Sequence, residues 1–220
     1  MVASLCYQNT NEPCVGHEAT DVAFANGCHN AVARSTWSLF GSAIMTSNIK
    51  FECAAPDKMS DKQLTEFCQL IVDGGEVTPD GLEGRVRNAK YLITARMDDK
   101  LVGTGAVKHP QHSYQKKVFA KSGFDQSPSD ENLEIGWVYA APKSRGNGVG
   151  RGLMQQIISK LNHQFCYATT RADNDAMKYL LPKFGFELTG KTYDSIDGKY
   201  QLSLYVRGTD TRNPPQKNAE

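Results

Sequence analysis

The chain has 220 residues, of which 25 are lysine or arginine and 24 are aspartate or glutamate, so its formal net charge is +1. A balance this near zero excludes a general electrostatic attraction to nucleic acid or to membranes, although a local basic patch is compatible with it. No apolar run approaches the ~20 residues that span a bilayer, and no secretion signal is visible at the N-terminus. We therefore expect a cytoplasmic protein with one packed core and no membrane partner.

The cysteines predict neither a metal site nor a disulfide framework. None of the six forms a Cys-x-x-Cys pair, and free thiols are the expected state in a reducing cytosol. One cluster near the N-terminus has the residue types of a zinc site but matches no familiar zinc-binding spacing. Its members are Cys14, His17, Cys28 and His29. We predict that the chain binds no metal.

The hydrophobic pattern divides the chain into three segments. Residues 1–47 show no sustained period and are interpreted as a peripheral N-terminal extension. Residues 209–220 form a polar tail with two prolines, which predicts disorder. The regular pattern lies between them and predicts one domain over 48–208.

The first half of this domain predicts a strand, two helices and a hairpin in that order. The strand covers 48–54. Ser60 and Gln63 form a capping-box signature before a helix that ends at Gly74–Gly75, and a shorter helix is predicted over 79–88. Two β-like runs then flank Asp98–Asp99, which is typical of a hairpin turn.

The second half begins with a long polar stretch, 109–132, interpreted as a loop. A strand over 133–141, an amphipathic helix over 148–161 and a strand over 164–171 follow. A further helix is capped by Asp173 or Asn174, and the chain closes with two strands joined at Asp197–Gly198. This order predicts a mixed α/β fold: a central twisted, mixed β-sheet with helices on both faces.

Two glycine-rich stretches are candidates for binding phosphate. Residues 185–192, "GFELTGKT", match the P-loop pattern letter for letter, but a helix precedes them and a hairpin follows. A working P-loop needs a strand before it and a helix after it. We therefore interpret the match as coincidence and Gly185 as the glycine that ends a helix.

The other stretch, "RGNGVG" at 145–150, has the required strand before it and helix after it. Glycine backbones approach a ligand closely, and the amides at a helix N-terminus attract anions. A dinucleotide-binding fold would end its next strand with an acidic residue. Here that strand ends in Arg171, so a nicotinamide cofactor is not expected.

The segment "LEIGWVYAAPKSRGNGVGRGLMQQII" resembles the pyrophosphate-binding motif of the GNAT superfamily, the acyl-coenzyme A dependent N-acetyltransferases. The signature [RQ]-x-x-G-x-[GA] is matched at Arg145, Gly148 and Gly150. Downstream, "NDAMKYLLPKFGF" is similar to the fourth helix of the family, with Asn174 eleven residues before Gly185. The resemblance covers about 48–207, and the order of elements agrees throughout.

The resemblance implies an N-acetyltransferase that moves an acetyl group from acetyl-CoA, its cosubstrate, to an amine by direct attack. The coenzyme would lie in a V-shaped opening between the strands at 133–141 and 164–171, with one strand amide polarising the acetyl carbonyl. Lys183 is either near the ribose phosphate or simply solvated. The implied cofactor-binding residues are Tyr139, Ala140, Arg145, Gly146, Asn147, Gly148, Val149, Gly150, Arg151 and Asn174.

The resemblance also implies two catalytic candidates. Glu134 lies eight residues before Pro142, at the position where the family commonly places its acid. If the side chain is partly buried, its pKa would rise toward neutrality, which would make it a better base. The alternative is that Glu134 is a solvated strand residue. The position of the family tyrosine holds Leu181. Tyr179 is the remaining candidate acid if Pro182 distorts the helix; otherwise the thiolate leaves unaided or takes a proton from water.

The acceptor is the least determined part of the sequence. Residues 73–88 carry acids that suit a cationic amine, whereas 109–132 carries basic residues and a tyrosine that suit an anionic or nucleic-acid acceptor. The first set is Asp73, Glu76, Asp80 and Glu83, and the second is His109, His112, Tyr114, Lys116, Lys117 and Lys121. An amine on a small molecule, a peptide or RNA stays open, as do a homodimer and a non-catalytic coenzyme A binding module.

Overall fold

A computed structural model of the protein describes residues 48–75, 77–161, 164–195 and 198–208. The predicted N-terminal extension with its four-residue Cys/His cluster, and the predicted tail, lie outside these ranges. Within them no helix is long and apolar enough to cross a bilayer.

Among the described residues, seven strands form one sheet in the order β1-β2-β3-β4-β5-β7-β6. Neighbouring strands are antiparallel except β4 and β5, which are parallel. The strands are β1 (Ile49–Ala54), β2 (Ala89–Met97), β3 (Lys100–Lys108), β4 (Leu133–Ala140), β5 (Cys166–Arg171), β6 (Glu187–Asp194) and β7 (Gln201–Arg207). The predicted mixed sheet is confirmed.

Helices cover both faces of the sheet, as predicted. One face carries α1, α2 and α3, and the other carries α4 and α5. The helices are α1 (Asp61–Asp73), α2 (Leu82–Arg87), α3 (His112–Ser122), α4 (Val149–Leu161) and α5 (Asp175–Leu180). Short 3-10 turns lie at Pro56–Lys58, Pro142–Ser144 and Leu181–Phe184.

The structure contains the two helix starts and the hairpin that local sequence patterns predicted. The Gln63 amide donates to Ser60 Oγ at 3.3 Å and the Ser60 amide donates to Gln63 Oε1 at 2.8 Å, so the capping box before α1 is complete. Asn174, rather than Asp173, caps α5. Asp98 and Asp99, with φ of 49° and 61°, make the left-handed turn that joins β2 to β3.

The prediction of a loop over 109–132 is wrong, because it contains α3. Four positions of this helix are buried at helical spacing, but Gln115 and Ser122 among them are polar, so the apolar stripe is reduced to Val118 and Phe119. Gln115 is fully buried and hydrogen-bonds to Pro110, Ser129 and Asn132. Polar bonding, rather than an apolar face, anchors the start of this helix.

The helix predicted over 79–88 is shorter than expected. It begins at Leu82, after Gly81 adopts a left-handed conformation with φ of 62°. Residues 77–81 therefore form a turn, and this turn reaches the pocket described below.

A β-bulge in the middle of β4 separates this strand from β5. Between the pairs Thr104–Tyr139 and Ala106–Gly136, β4 contains one residue more than β3. Trp137 has a φ of 53°, and Thr104 Oγ1 donates to its carbonyl at 2.9 Å. In the described ranges, β4 pairs with β5 only from Leu133 to Ile135, so beyond the bulge the two strands open into the predicted V.

Residues 185–192, which match the P-loop pattern, do not form a phosphate-binding loop. Gly185 ends the 3-10 turn after α5 in a left-handed conformation, and Gly190, Lys191 and Thr192 lie in β6. A Cβ on Gly190 would come within 2.1 Å of the Ser122 carbonyl oxygen, at the end of α3. Packing against α3 therefore requires a glycine at position 190. This explains the glycine without any role in binding phosphate.

We predict that Gly190→Ala destabilises the protein at least twice as much as Gly198→Ala. Both glycines have positive φ, 68° and 69°, which costs an L-residue roughly 1–2 kcal/mol. Only Gly190 has a backbone atom in the way, since nothing lies within 4 Å of a Cβ on Gly198. Denaturant unfolding measures both changes, and equal losses would contradict the packing role assigned to Gly190.

Candidate active site

The predicted phosphate loop is open toward solvent at its two glycines. Gly146 and Gly148 both have φ of +79°, and no atom lies within 4 Å of a Cβ built on either. α4 begins directly after them at Val149. The loop therefore presents backbone and a helix N-terminus to an unobstructed space, as an anion cradle requires.

Side chains hold this loop to the end of β4. The buried Ser144 hydroxyl donates to the carbonyl of Ala141 at 2.8 Å, and Asn147 Nδ2 donates to the Ser144 carbonyl at 3.4 Å. Arg145 Nε donates to the Ala140 carbonyl at 3.2 Å, with its guanidinium 5.9 Å from the Tyr139 ring centroid. Arg145, expected simply to add charge, also fastens the loop to the strand.

The remaining predicted cofactor residues surround the same region. Val149 is buried in the core, and a Cβ on Gly150 would lie 3.6 Å from Leu180 of α5, so the loop end packs on that helix. Arg151 is exposed. Asn174 is buried, and its Oδ1 accepts from the Met177 amide at 3.1 Å, so this atom is engaged in capping α5.

Thr170, near the end of β5, was not identified from the sequence. Its side chain is fully buried, and within the described ranges its hydroxyl has no hydrogen-bond partner. Burying an unpaired hydroxyl is unfavourable, so a partner from a bound ligand or an ordered water is expected there. A threonine in an apolar strand gives no signal of this kind in the sequence. This hydroxyl and the open loop both fit an elongated, phosphate-bearing ligand such as coenzyme A.

Glu134 is buried in an ion pair, which excludes the alternative of a solvated strand residue. The residue is 3% exposed, and Lys108 Nζ lies 3.0 Å from its Oε2. Residues 108 and 134 are directly paired across β3 and β4. The ammonium also lies 5.0 Å from the Trp137 ring centroid. Lys108 thus supplies the counter-charge that permits a carboxylate inside the protein.

Tyr114, from the unforeseen helix α3, donates to the same carboxylate. Its hydroxyl lies 3.4 Å from Glu134 Oε1 and 3.4 Å from Thr169 Oγ1. Burial, followed by the charge of Glu134, raises the pKa of Tyr114 well above its usual value of 10.0. The phenol therefore keeps its proton at neutral pH and remains a donor to Glu134.

Two further tyrosines are buried near enough to this carboxylate for its charge to act on them. Tyr167 and Tyr193 are buried, and within the described ranges their hydroxyls have no hydrogen-bond partner. Burial, and then the charge of Glu134, raises the pKa of each above its usual 10.0. Buried hydroxyls of this kind are commonly satisfied by ordered water. The surroundings of Glu134 are thus polar, protonated and rich in donors.

A pocket of about 350 Å³ opens onto Glu134. Both regions predicted to bind the acceptor contribute to it: Val77, Thr78, Arg85 and Asn88 from one, and His109, Pro110, Gln111 and Tyr114 from the other. The acids expected from the first region, as far as the structure describes them, are not among the lining residues. Asp73 bonds to Gln69, and Glu83 pairs with Arg87.

Tyr179, the candidate acid, lies on the exposed side of α5. It is 68% exposed, and Lys183 Nζ lies 3.5 Å from its ring centroid. A hydrogen bond from Lys183 and its charge lower the pKa of Tyr179. Pro182 does convert the chain into a 3-10 turn, but this turn begins after Tyr179 and buries Leu181.

Known proteins share both the sequence pattern and the fold. Residues 58–186 match the family described as "Acetyltransferase (GNAT) family". No curated protein sequence matches the chain.

Three similar solved structures illustrate the fold. Their sequence identities to this chain are low, so the likeness shows a shared fold and no shared function. An acyl-CoA N-acyltransferase from Pseudomonas aeruginosa is 15% identical, with a TM-score of 0.55 over 73% of this chain and 100% of its own. Escherichia coli ElaA is 18% identical, with a TM-score of 0.55 over 73% and 99%. The ribosomal-protein-S18-alanine N-acetyltransferase of Escherichia coli is 11% identical, with a TM-score of 0.52 over 75% and 99%.

We predict that Lys108→Met destabilises the fold by about 3–5 kcal/mol, because it leaves the Glu134 carboxylate buried without its counter-charge. The double variant Lys108→Met with Glu134→Gln should recover most of this loss. Arg87→Met, which removes ion pairs at an exposed site, is the control and should change stability little. Denaturant unfolding tests all three; a double variant no better than Lys108→Met would refute the coupling.

Proposed function

Because the chain belongs to the GNAT acetyltransferase family, which it matches over residues 58–186, we propose that it transfers an acetyl group from acetyl-CoA to an amine by direct attack. One observation carries this proposal. The strand that bears the buried Glu134 is the strand that separates from β5 and ends at the phosphate loop. The proposed base, the opening and the proposed anion cradle therefore follow one another along β4 and the loop after it.

The cofactor half of the proposed site is formed by the loop and the opening. The amides from Gly146 to Gly150 and the N-terminus of α4 would bind the pyrophosphate, with Arg145 holding the loop in place. Arg151 and Lys183 add positive charge nearby, at the junction of α4 and α5. Thr170 and the backbone around Tyr139 and Ala140 would bind the pantetheine arm. When bound, the thioester supplies the acetyl carbonyl and a thiolate leaving group.

The acceptor half is formed by Glu134 and its neighbours. A primary amine is mostly protonated at neutral pH and must lose a proton before it can attack. Glu134 would accept that proton directly or through water, while Lys108 and Tyr114 hold its two oxygens. An amide beyond the bulge would stabilise the negative charge that develops on the carbonyl oxygen. A nitrogen–carbon bond forms as the carbon–sulfur bond breaks.

The proton returned to the thiolate has two proposed sources. Tyr179 is one, since the lowered pKa next to Lys183 makes its proton easier to give. Its exposed position favours the other, which is water entering along the opening.

A non-catalytic module that binds coenzyme A is the second candidate function. It is favoured by a single feature, the buried Leu181 at the position of the family tyrosine. Such a module would bind acetyl-CoA but release no thiol with any amine, peptide or RNA acceptor. We favour the enzyme because Glu134 lines the acceptor pocket and has the surroundings of a functional carboxylate. A cytoplasmic location stays part of the same proposal.

We predict that Glu134→Gln lowers the rate of thiol release by roughly 100-fold or more, as expected for the loss of a general base. The affinity for acetyl-CoA should stay within about twofold, since the substitution lies on the acceptor side. Thiol release in the presence of amines and titration calorimetry measure the two quantities. An unchanged rate would show that another group accepts the proton.

We predict that Gly148→Val weakens acetyl-CoA binding by roughly 10-fold or more, because it strains a positive φ and places a side chain in the open cradle. Lys191→Ala is the matched control, since that lysine lies in β6. For Lys191→Ala, calorimetry should show an unchanged affinity for acetyl-CoA. We expect no ATP binding at this segment, so the substitution should have none to remove. If Gly148→Val bound acetyl-CoA as tightly as the wild-type protein does, the loop would not be part of the binding site.

A further inference from the structure

A row of polar side chains crosses the centre of the sheet on the face covered by α3. Glu134 of β4 is paired with Lys108 of β3 on one side and with Tyr167 of β5 on the other. Paired residues on neighbouring strands project from the same face of a sheet, so the Tyr167 side chain lies beside the carboxylate. Tyr193 of β6 packs in the same cluster under α3 as Tyr167. The two tyrosines therefore bring polar groups into an otherwise apolar cluster next to the proposed base.

The hydroxyls of these two tyrosines are buried without a partner. Tyr167 is fully buried and Tyr193 is 8% exposed, and in the part of the chain that the structure describes neither hydroxyl is hydrogen-bonded. Burial, and then the charge of Glu134, raises the pKa of both, so each keeps its proton and remains a donor. The hydroxyls are thus near enough to Glu134 to be affected by its charge, but they do not bond to it. Leaving them unpaired would be unfavourable.

Glu134 can accept more hydrogen bonds than the described side chains donate to it. A carboxylate offers about four acceptor sites, and among the described residues two donors reach them. Lys108 Nζ lies 3.0 Å from Oε2, and the Tyr114 hydroxyl lies 3.4 Å from Oε1. Tyr167 and Tyr193 do not line the acceptor pocket, so a ligand bound there is not their partner. Water is small enough for an interior site, and it accepts and donates hydrogen bonds at once.

Building on the proposed acetyltransferase function, we propose that an ordered water lies under α3, accepts hydrogen bonds from the hydroxyls of Tyr167 and Tyr193, and donates one to Glu134. The two tyrosines are then positioning residues, because they act on the proposed base through this water. A carboxylate held by several donors stays charged and keeps one orientation, which proton transfer from the acceptor amine requires. The water joins the residues under α3 to the residues that face the pocket.

The stability of tyrosine-to-phenylalanine variants distinguishes a hydrated site from a dry one. At a dry site Tyr167→Phe would remove an unpaired polar group, and the midpoint of denaturant unfolding would stay or rise. With the water bound, we expect the midpoint to fall in Tyr167→Phe and in Tyr193→Phe. The fall should shrink in a Glu134→Gln background, because hydrogen bonds to a charged acceptor are the stronger ones. The matched control is Tyr205→Phe, whose buried ring packs in the cluster that contains α4. Its effect should not depend on Glu134→Gln.

The kinetics separate a positioning role from a purely structural one. Tyr167→Phe should lower kcat for thiol release by about 10-fold, the effect of losing one hydrogen bond to a charged group. The KM for acetyl-CoA should stay within about twofold, because the cosubstrate is proposed to bind on the other side of the sheet. Tyr205→Phe should keep both constants.

Two results would overturn this inference without touching the proposed function. Midpoints that stay or rise in both variants, or that fall equally with and without Glu134→Gln, would exclude the water. An unchanged kcat in Tyr167→Phe would exclude the positioning role. If the wild-type protein released no thiol with any amine, the proposed function and the positioning role would both be wrong, whereas the unfolding measurements would still decide whether the water is bound.

Discussion

The site depends on the bulge that turns β4 away from β5. If β4 and β5 were paired along their whole length, their backbone amides and carbonyls would hydrogen-bond to each other, and no ligand could enter between them. Here the pairing stops at Ile135, and the extra residue at Trp137 is held by the hydroxyl of Thr104. One side-chain hydrogen bond from β3 thus stabilises an irregularity that leaves the edges of two central strands available.

The bulge also decides which residues face each other across the sheet. Before it, Lys108 and Glu134 are paired on the face covered by α1 to α3. After it, β4 runs to the loop whose helix, α4, covers the other face. The two halves of the proposed site therefore approach from opposite sides of one sheet, and the opening between β4 and β5 connects them.

The parts of the fold that were predicted correctly are those with local causes. The capping box at Ser60 and the turn at Asp98–Asp99 depend on residues within a few positions of each other, and a sequence shows such residues directly. α3 was missed because Gln115 and Ser122 are polar yet buried. Gln115 bonds to Pro110, Ser129 and Asn132 outside the helix, and the Ser122 hydroxyl donates to the Phe119 carbonyl one turn earlier. The same limit applies to Lys108, whose pairing with Glu134 depends on the register of two strands separated by α3.

The helix that was missed forms one wall of the pocket and has its own set of contacts with the sheet. Its first turn, with Tyr114, is fixed to the adjoining segment largely through the hydrogen bonds of Gln115, whereas the phosphate loop is bound to β4 and to the core through α4. A replacement of residues 109–132 that kept these bonds and the packing of Val118 and Phe119 on the sheet would alter this wall of the pocket and leave the loop at 145–150 unchanged. In this sense the two halves of the proposed site can vary independently of each other.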